Sequence, residues 1–232
     1  MVMNNKKGNA PDKVEAVEHA LSRSEQFIED NQKKIIIVVL ALVAAVGLYL
    51  AYQKWYLAPL QEDANSQMFV AEQYFELDSF NLALNGDLNY PGFLTIIDEY
   101  SSTDAANLAQ YYAGISYLKL GQFENAIKYL SEFDSKDKML KPISLGCIGD
   151  AYMELNQIEK SAEYYTKAGN ATENEFIAPI YLMRAGVAYE NLKNYKGALE
   201  QYKIVKDKYK NTPEGKTIDK FIAKAEIMMN KK

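Results

Sequence analysis

Very few side chains in this 232-residue chain have a type and spacing suited to chemistry. It holds one cysteine, Cys147, and one histidine, His19. A single thiol excludes an intrachain disulfide framework and any multi-thiolate metal site, and one histidine argues against His-dependent catalysis. No HExxH, GxSxG, P-loop or dinucleotide fingerprint occurs. Gly146-Cys147-Ile148-Gly149-Asp150 is rich in glycine, but it lies inside a helical pattern and follows no strand, so Cys147 reads as a small apolar packing residue. Aspartates and glutamates are scattered over polar faces without a paired-carboxylate signature. Asn170-Ala171-Thr172 matches a glycosylation sequon, a pattern too common by chance to carry an argument. The inventory points away from an enzyme and implies no cofactor, metal or small-molecule substrate.

Composition sets the frame for the elements. With 48% hydrophobic and 25% charged residues, 12 Gly and 6 Pro, the chain is ordinary globular protein rather than a disordered tail. Its net charge of −5 and pI near 5.1 argue against a nucleic-acid partner, which would call for a basic face. Length suggests one or two domains, at roughly 150 residues each.

The strongest pattern is the uncharged run Ile35–Gln53, IIIVVLALVAAVGLYLAYQ. As a helix it would span roughly 28 Å, the hydrocarbon thickness of a bilayer. Tyr49, Tyr52, Trp55 and Tyr56 gather at one end, where amphipathic rings sit among headgroups. Lys13, Arg23, Lys33 and Lys34 precede the run, whereas Lys54 is followed by no basic residue before Lys119. That asymmetry predicts a cytoplasmic N-terminus and an exported C-terminal part. A cleaved signal peptide, with Val43-Ala44-Ala45 as its small-residue site, is the competing reading. The long segment before the run favours an uncleaved anchor in contact with membrane lipid through residues 35–53.

Ahead of the anchor, residues 1–11 are polar and read as irregular. From Asp12 to Asn31 the spacing of Val14, Val17, Leu21, Ser24 and Ile28 predicts an amphipathic helix within a segment 1–34 that would be cytoplasmic. Such a stripe needs a partner or a membrane surface to cover it.

The remainder, 59–232, repeats. Ala113-Gly114-Ile115-Ser116-Tyr117 leads to Leu120-Gly121-Gln122-Phe123 and Ala126. Ile148-Gly149-Asp150-Ala151-Tyr152 leads to Leu155-Asn156-Gln157-Ile158 and Ser161-Ala162. Ala185-Gly186-Val187-Ala188-Tyr189 leads to Leu192-Lys193-Asn194-Tyr195 and Ala198. The glycines are 35 and 37 residues apart. The pattern resembles the tetratricopeptide repeat, a helix–turn–helix unit of about 34 residues. Glycine would let the paired helix approach closely, the tyrosine three residues on would fill the adjoining space, and 126, 161 and 198 would receive the first helix. A degenerate unit precedes these, with Ala71 and Tyr74 in the glycine and tyrosine places, an inserted loop over 81–91 and a second helix from Gly92 to Tyr100, Ile96 and Ile97 inward. Thr212-Pro213-Glu214 starts a last helix whose Ile218, Phe221, Ile222 and Ala225 would cap the array. The fold class is therefore all-α: one N-terminal transmembrane helix followed by a tetratricopeptide-type solenoid of about four hairpins and a capping helix.

Tetratricopeptide repeats line a concave groove from the first helix of each unit. Carried across by alignment, the lining is Tyr111, Ile115, Leu118 and Lys119, then Gly146, Asp150, Met153 and Glu154, then Met183, Val187, Glu190 and Asn191. The places where some repeat proteins clamp a C-terminal carboxylate with Lys and Asn hold Tyr111, Gly146 and Met183, so that clamp is absent. Met153, Met183 and Tyr111 would offer adaptable apolar contact, with Glu154 and Glu190 as exposed rim charges. A groove partly filled by its own side chains is the other reading.

Val14-Glu15-Ala16-Val17, Phe27-Ile28-Glu29-Asp30-Asn31, a single anchor with the N-terminus inside and an exported repeat domain together resemble the YfgM-like ancillary subunits of the bacterial Sec translocon. The resemblance implies a place in the bacterial inner membrane beside SecYEG, with periplasmic repeats. It also implies work with a membrane-anchored periplasmic chaperone, receiving or handing on emerging polypeptides. An envelope or division scaffold, and a periplasmic binding module released by signal cleavage, are the alternatives.

Overall fold

The computed structural model describes residues 11–231, with side chains from Phe27 onward. The irregular segment expected before residue 11, and the stripe Val14, Val17, Leu21 and Ser24, lie outside the described residues or side chains. Eleven α-helices and no β-strand occur among the described residues, and the chain divides into two compact units, Met1–Ala58 and Pro59–Lys232.

In the first unit, helix α1 (Pro11–Tyr52) takes in both the segment expected at 12–31 and most of the apolar run. Neither Gly nor Pro occurs between Asp12 and Val46, so nothing in the sequence breaks it. A π-helical turn, Gln53–Leu57, follows. There the Tyr52 and Tyr56 rings stack at 5.3 Å, and the Gln53 amide donates to the Tyr49 hydroxyl at 2.8 Å. The apolar side chains of the run are exposed all round, Ile37 by 66% and Leu48 by 73%. It is long and apolar enough to cross a membrane.

The second unit is a series of helical hairpins: α2 (Ala58–Glu76) with α3 (Phe80–Asn85) and α4 (Phe93–Glu99), α5 (Asp104–Lys119) with α6 (Phe123–Glu132), α7 (Leu140–Glu154) with α8 (Ile158–Asn170), and α9 (Ala178–Asn191) with α10 (Tyr195–Lys208). Helix α11 (Pro213–Asn230) closes it, with Ile218, Ile222 and Ala225 buried and Phe221 half-buried. The Thr212 hydroxyl caps that helix by accepting from the Gly215 N–H at 3.2 Å.

The small residues do what their spacing demands. A Cβ on Gly114, Gly149 or Gly186 would run into the side chain of Leu130, Tyr165 or Tyr202. Ala126, Ser161 and Ala198 are fully buried. The side chain filling each glycine's space comes from the second helix, not from the tyrosine three residues on. Tyr117 and Tyr152 instead pair with Tyr129 and Tyr164, at centroid distances of 5.2 and 5.3 Å.

All four hairpins share one turn. Asp78, Gly121, Asn156 and Lys193 have φ of 54°, 73°, 56° and 58°. After each, the next N–H bonds back to a tyrosine carbonyl, Ser79 to Tyr74, Gln122 to Tyr117, Gln157 to Tyr152 and Asn194 to Tyr189, at 2.8–2.9 Å. The first hairpin departs from the expected insertion. Residues Phe80–Asn85 are helical, so the second helix is split into α3 and α4, and only Gly86–Gly92 is loop. That loop is closed by a Gly86–Pro91 bridge, while the Asp87 carboxylate accepts from the Asn89 and Tyr90 N–H groups and the Tyr74 hydroxyl at 2.7–2.8 Å.

Candidate partner-binding groove

Helices α5, α7 and α9 carry the positions one, four and five residues beyond each repeat glycine, and the structure brings some of these into a groove and not others. At the centre stands Asp150, which accepts from the Tyr165 hydroxyl at 2.6 Å and from the Arg184 guanidinium at 2.7 Å. Arg184 comes from the next repeat and lies over the Tyr165 and Tyr181 rings, 5.9 and 5.6 Å from their centroids. Burial, and then the bond to Asp150, hold the Tyr165 hydroxyl protonated well above its ordinary range, and burial does the same for Tyr181.

Beside this ion pair lies an apolar depression of about 270 Å³ lined by Met153, Tyr165, Met183, Arg184 and Val187. A second, of about 550 Å³, adjoins it through Met153 and Tyr165 and reaches Leu118, Lys119, Asp150 and Glu154. A third, of about 390 Å³, shares Met183 and Arg184 and extends over Lys220 and Phe221 of α11. Through these shared residues the three form one groove running from α5 to α11.

Seven of the residues picked by alignment line it: Leu118, Lys119, Asp150, Met153, Glu154, Met183 and Val187. Tyr111 does not. It is 8% exposed and packs with Leu130, Phe133 and Ile148, its ring 5.2 Å from that of Phe133, and burial pushes its hydroxyl up to about 12. Ile115 is half-buried against the same cluster, and Gly146 is covered by the Tyr181 ring, which a Cβ there would run into. Glu190 is no exposed rim charge. Its side chain is 9% exposed, accepts from the Tyr202 hydroxyl at 3.2 Å and pairs with Lys224. Asn191 is exposed and outside the three depressions.

Alignment missed Tyr165, Arg184 and Phe221. A signal for Arg184 existed: it stands two residues before its repeat glycine, opposite the position one residue after the preceding one, and opposite charges occupy the two. Cys147 is half-buried nearby, its thiol pushed up to about 12 by burial first and by Asp150 next, which fits packing rather than reactivity. Among the described residues no group of three His, Cys, Asp or Glu is placed to hold a metal.

Two models of the tetratricopeptide repeat match the chain, one over residues 108–137 and 181–212 and the other over 147–171. These stretches fall on α5 and α6, α9 and α10, and α7 and α8. Their class is therefore the tetratricopeptide-type helical hairpin, the fold of proteins that bind other proteins. Among solved structures, the nearly identical TPR-like repeats of a protein from Podosopora anserina, named as a candidate kinesin light chain, align with a TM-score of 0.54 at 13% identity, covering 74% of this chain and 89% of that one. A single-substitution variant of the same repeats gives 0.53 at the same identity and coverage. This likeness is one of fold. No curated protein matches the chain.

Proposed function

We propose that this is a membrane-anchored tetratricopeptide protein whose exported repeats capture polypeptide through the concave face beside the Sec translocon. The observation that carries the reading is the continuous groove with Met153, Met183 and Val187 on its floor, pliable apolar contacts inside a polar surround. Helix α1 supplies the anchor, since its apolar side chains are exposed all round. The lysine and arginine asymmetry about residues 35–53 supports a cytoplasmic N-terminus and exported repeats, and the similarity to YfgM-like subunits supports the periplasm as their compartment. The similarity to YfgM-like subunits supports SecYEG, a membrane-anchored periplasmic chaperone and emerging polypeptides as partners.

Photocrosslinkers at 153, 183 and 187 test this in the full chain in membranes. Adducts with a translocon subunit, a periplasmic chaperone or an exported chain are expected. Adducts only with other envelope components, or none while probes at 88 and 90 crosslink, would overturn it. A reporter active only outside the cytoplasm should work when fused after Lys232 and be silent when fused after Asn9.

A further inference from the structure

The groove positions of the first hairpin follow from its shared turn. Ala71, Tyr74 and Asp78 correspond to Gly149, Tyr152 and Asn156, so Glu72 and Glu76 stand where Asp150 and Glu154 stand two repeats later. Likewise Tyr112 corresponds to Arg184. In the later rung the carboxylate one residue past the repeat position is met by a guanidinium from the next repeat at 2.7 Å. In the first rung the corresponding residue on α5 is Tyr112, which carries no positive charge, and Glu76 stands one turn beyond Glu72.

No basic residue of α2 to α4 supplies the missing cation; the next Lys or Arg along the chain is Lys119, at the C-terminal end of α5 and within the groove. Between Trp55 and Leu118 the chain has nine acidic residues and no Lys or Arg. The described side chains contain no ion pair to Glu72 or Glu76. The Glu72 carboxyl is raised by partial burial first and by Glu76 next, the signature of a carboxylate held without a counter-charge. The opposite end of the groove carries Arg184 and Lys220 beside the methionine floor. The concave positions therefore run from Glu72 and Glu76 at the first repeat, past Lys119 on α5, to Met183, Arg184 and Lys220 at the last.

Resting on the groove reading above, we propose that the occupant is an extended polypeptide segment that places a lysine or arginine against Glu72 and Glu76 while an apolar side chain enters the Met153–Met183–Val187 depression. Its side chain takes at the first rung the place that Arg184 takes at the third. Neighbouring first helices lie roughly 9 Å apart, so the distance from α2 to the middle of α7 and α9 is about 22 Å, some six to seven residues of extended chain. The segment recognised is basic and apolar groups at that separation, without need of a free C-terminal carboxylate.

The test uses the full chain in detergent and fluorescent peptides with Leu-Met and Lys-Lys separated by (Ser-Gly)₃, made in both sequence orders, against versions with Ser-Ser for Lys-Lys. At low ionic strength at least one Lys-Lys order should bind about three- to tenfold more tightly than its Ser-Ser counterpart. Glu72→Gln with Glu76→Gln should remove that preference and its salt dependence, leaving Ser-Ser binding unchanged. Met153→Ala with Met183→Ala should weaken all the peptides alike. Peptides that need the methionines yet show no preference for lysine, or a preference that survives the glutamate variant, overturn this inference and leave the groove reading standing. Binding indifferent to the methionines, or no binding of any peptide, overturns both.

Discussion

The first hairpin and the three that follow share a turn but not a second helix. In α5 to α10 each glycine faces a large side chain sixteen residues on, Leu130, Tyr165 or Tyr202, and the second helix runs unbroken. In the first hairpin Ala71 takes the glycine place, and the second helix is cut into α3 and α4 by the Gly86–Gly92 loop. Its core is filled by a different device: Phe75, Phe93 and Tyr112 form an aromatic group, with Phe93 stacked on Tyr112 at 5.2 Å. In the first hairpin the break in the second helix goes with an aromatic group drawn from α2, α4 and α5. Each later glycine is packed instead by one large side chain of its own second helix, a tyrosine ring at Gly149 and Gly186, which leaves no slack.

The largest effect should come from removing that ring. Tyr202 is fully buried against Gly186, and Tyr202→Ala should cost about 3–5 kcal/mol in urea unfolding. Gly186→Leu should cost about 1–3 kcal/mol by overpacking the same contact, whereas Ala71→Gly should cost only about 1 kcal/mol. Equal losses at Ala71 and Gly186 would break the distinction.

Alkaline pH should separate the regions next. Burial raises the Cys147 thiol to about 12 and pushes the Tyr165, Tyr181 and Tyr202 hydroxyls higher still, all in the later hairpins, whereas in the first hairpin the bond to Asp63 raises the largely exposed Tyr100 hydroxyl to about 12. These groups stay protonated in the folded chain while their unfolded counterparts ionise from about pH 9 to 10 upward. The unfolded state then binds fewer protons, so stability is fully present below that range and falls as pH rises through it. As pH rises to 10, hydrogen-exchange protection, corrected for the base-catalysed intrinsic rate, should fall in α7 to α10 before α2 to α4. A uniform loss of protection would count against the contrast.

A smaller effect is expected at Glu190. Glu190→Gln should cost about 1–2 kcal/mol, since it weakens the bonds to Tyr202 and Lys224, while Glu154→Gln, on an exposed residue, should change unfolding by less than about 0.5 kcal/mol.

The hairpins, their turns and the closing helix were legible because small residues, tyrosines and turn residues recur at fixed offsets within each unit. Local spacing says less about what meets across repeats. Tyr111 and Met183 hold the same place relative to their glycines, yet Phe133 and Ile148 cover the one, and Arg184 and Phe221 leave the other facing the groove. Glu190 looked like a solvent charge because its partners, Tyr202 and Lys224, lie one and two helices further along. The split of α3 from α4 was hidden because Asn81 to Leu88 has the Asn, Gly and Asp content of a loop, whereas Ala83 and Leu84 are buried as a helix would bury them.

The smallest effect concerns the one feature the two regions share. Asp78 and Lys193 hold the left-handed turn that Gly121 holds at no steric cost, and both side chains are exposed. For a residue with a Cβ that conformation costs roughly 1–2 kcal/mol. Glycine returns part of this gain through the greater freedom of the unfolded chain, about 0.4–1 kcal/mol. Lys193→Gly should therefore stabilise by about 0.5–1 kcal/mol in urea unfolding. Asp78→Gly should gain less, because aspartate tolerates the left-handed region better than lysine does. That ranking assumes that the turn is one structure in both regions, with only side-chain strain differing. A loss at Asp78 beside a gain at Lys193 would show that the first hairpin depends on its aspartate, and that the difference between the regions begins at the turn rather than after Asn85.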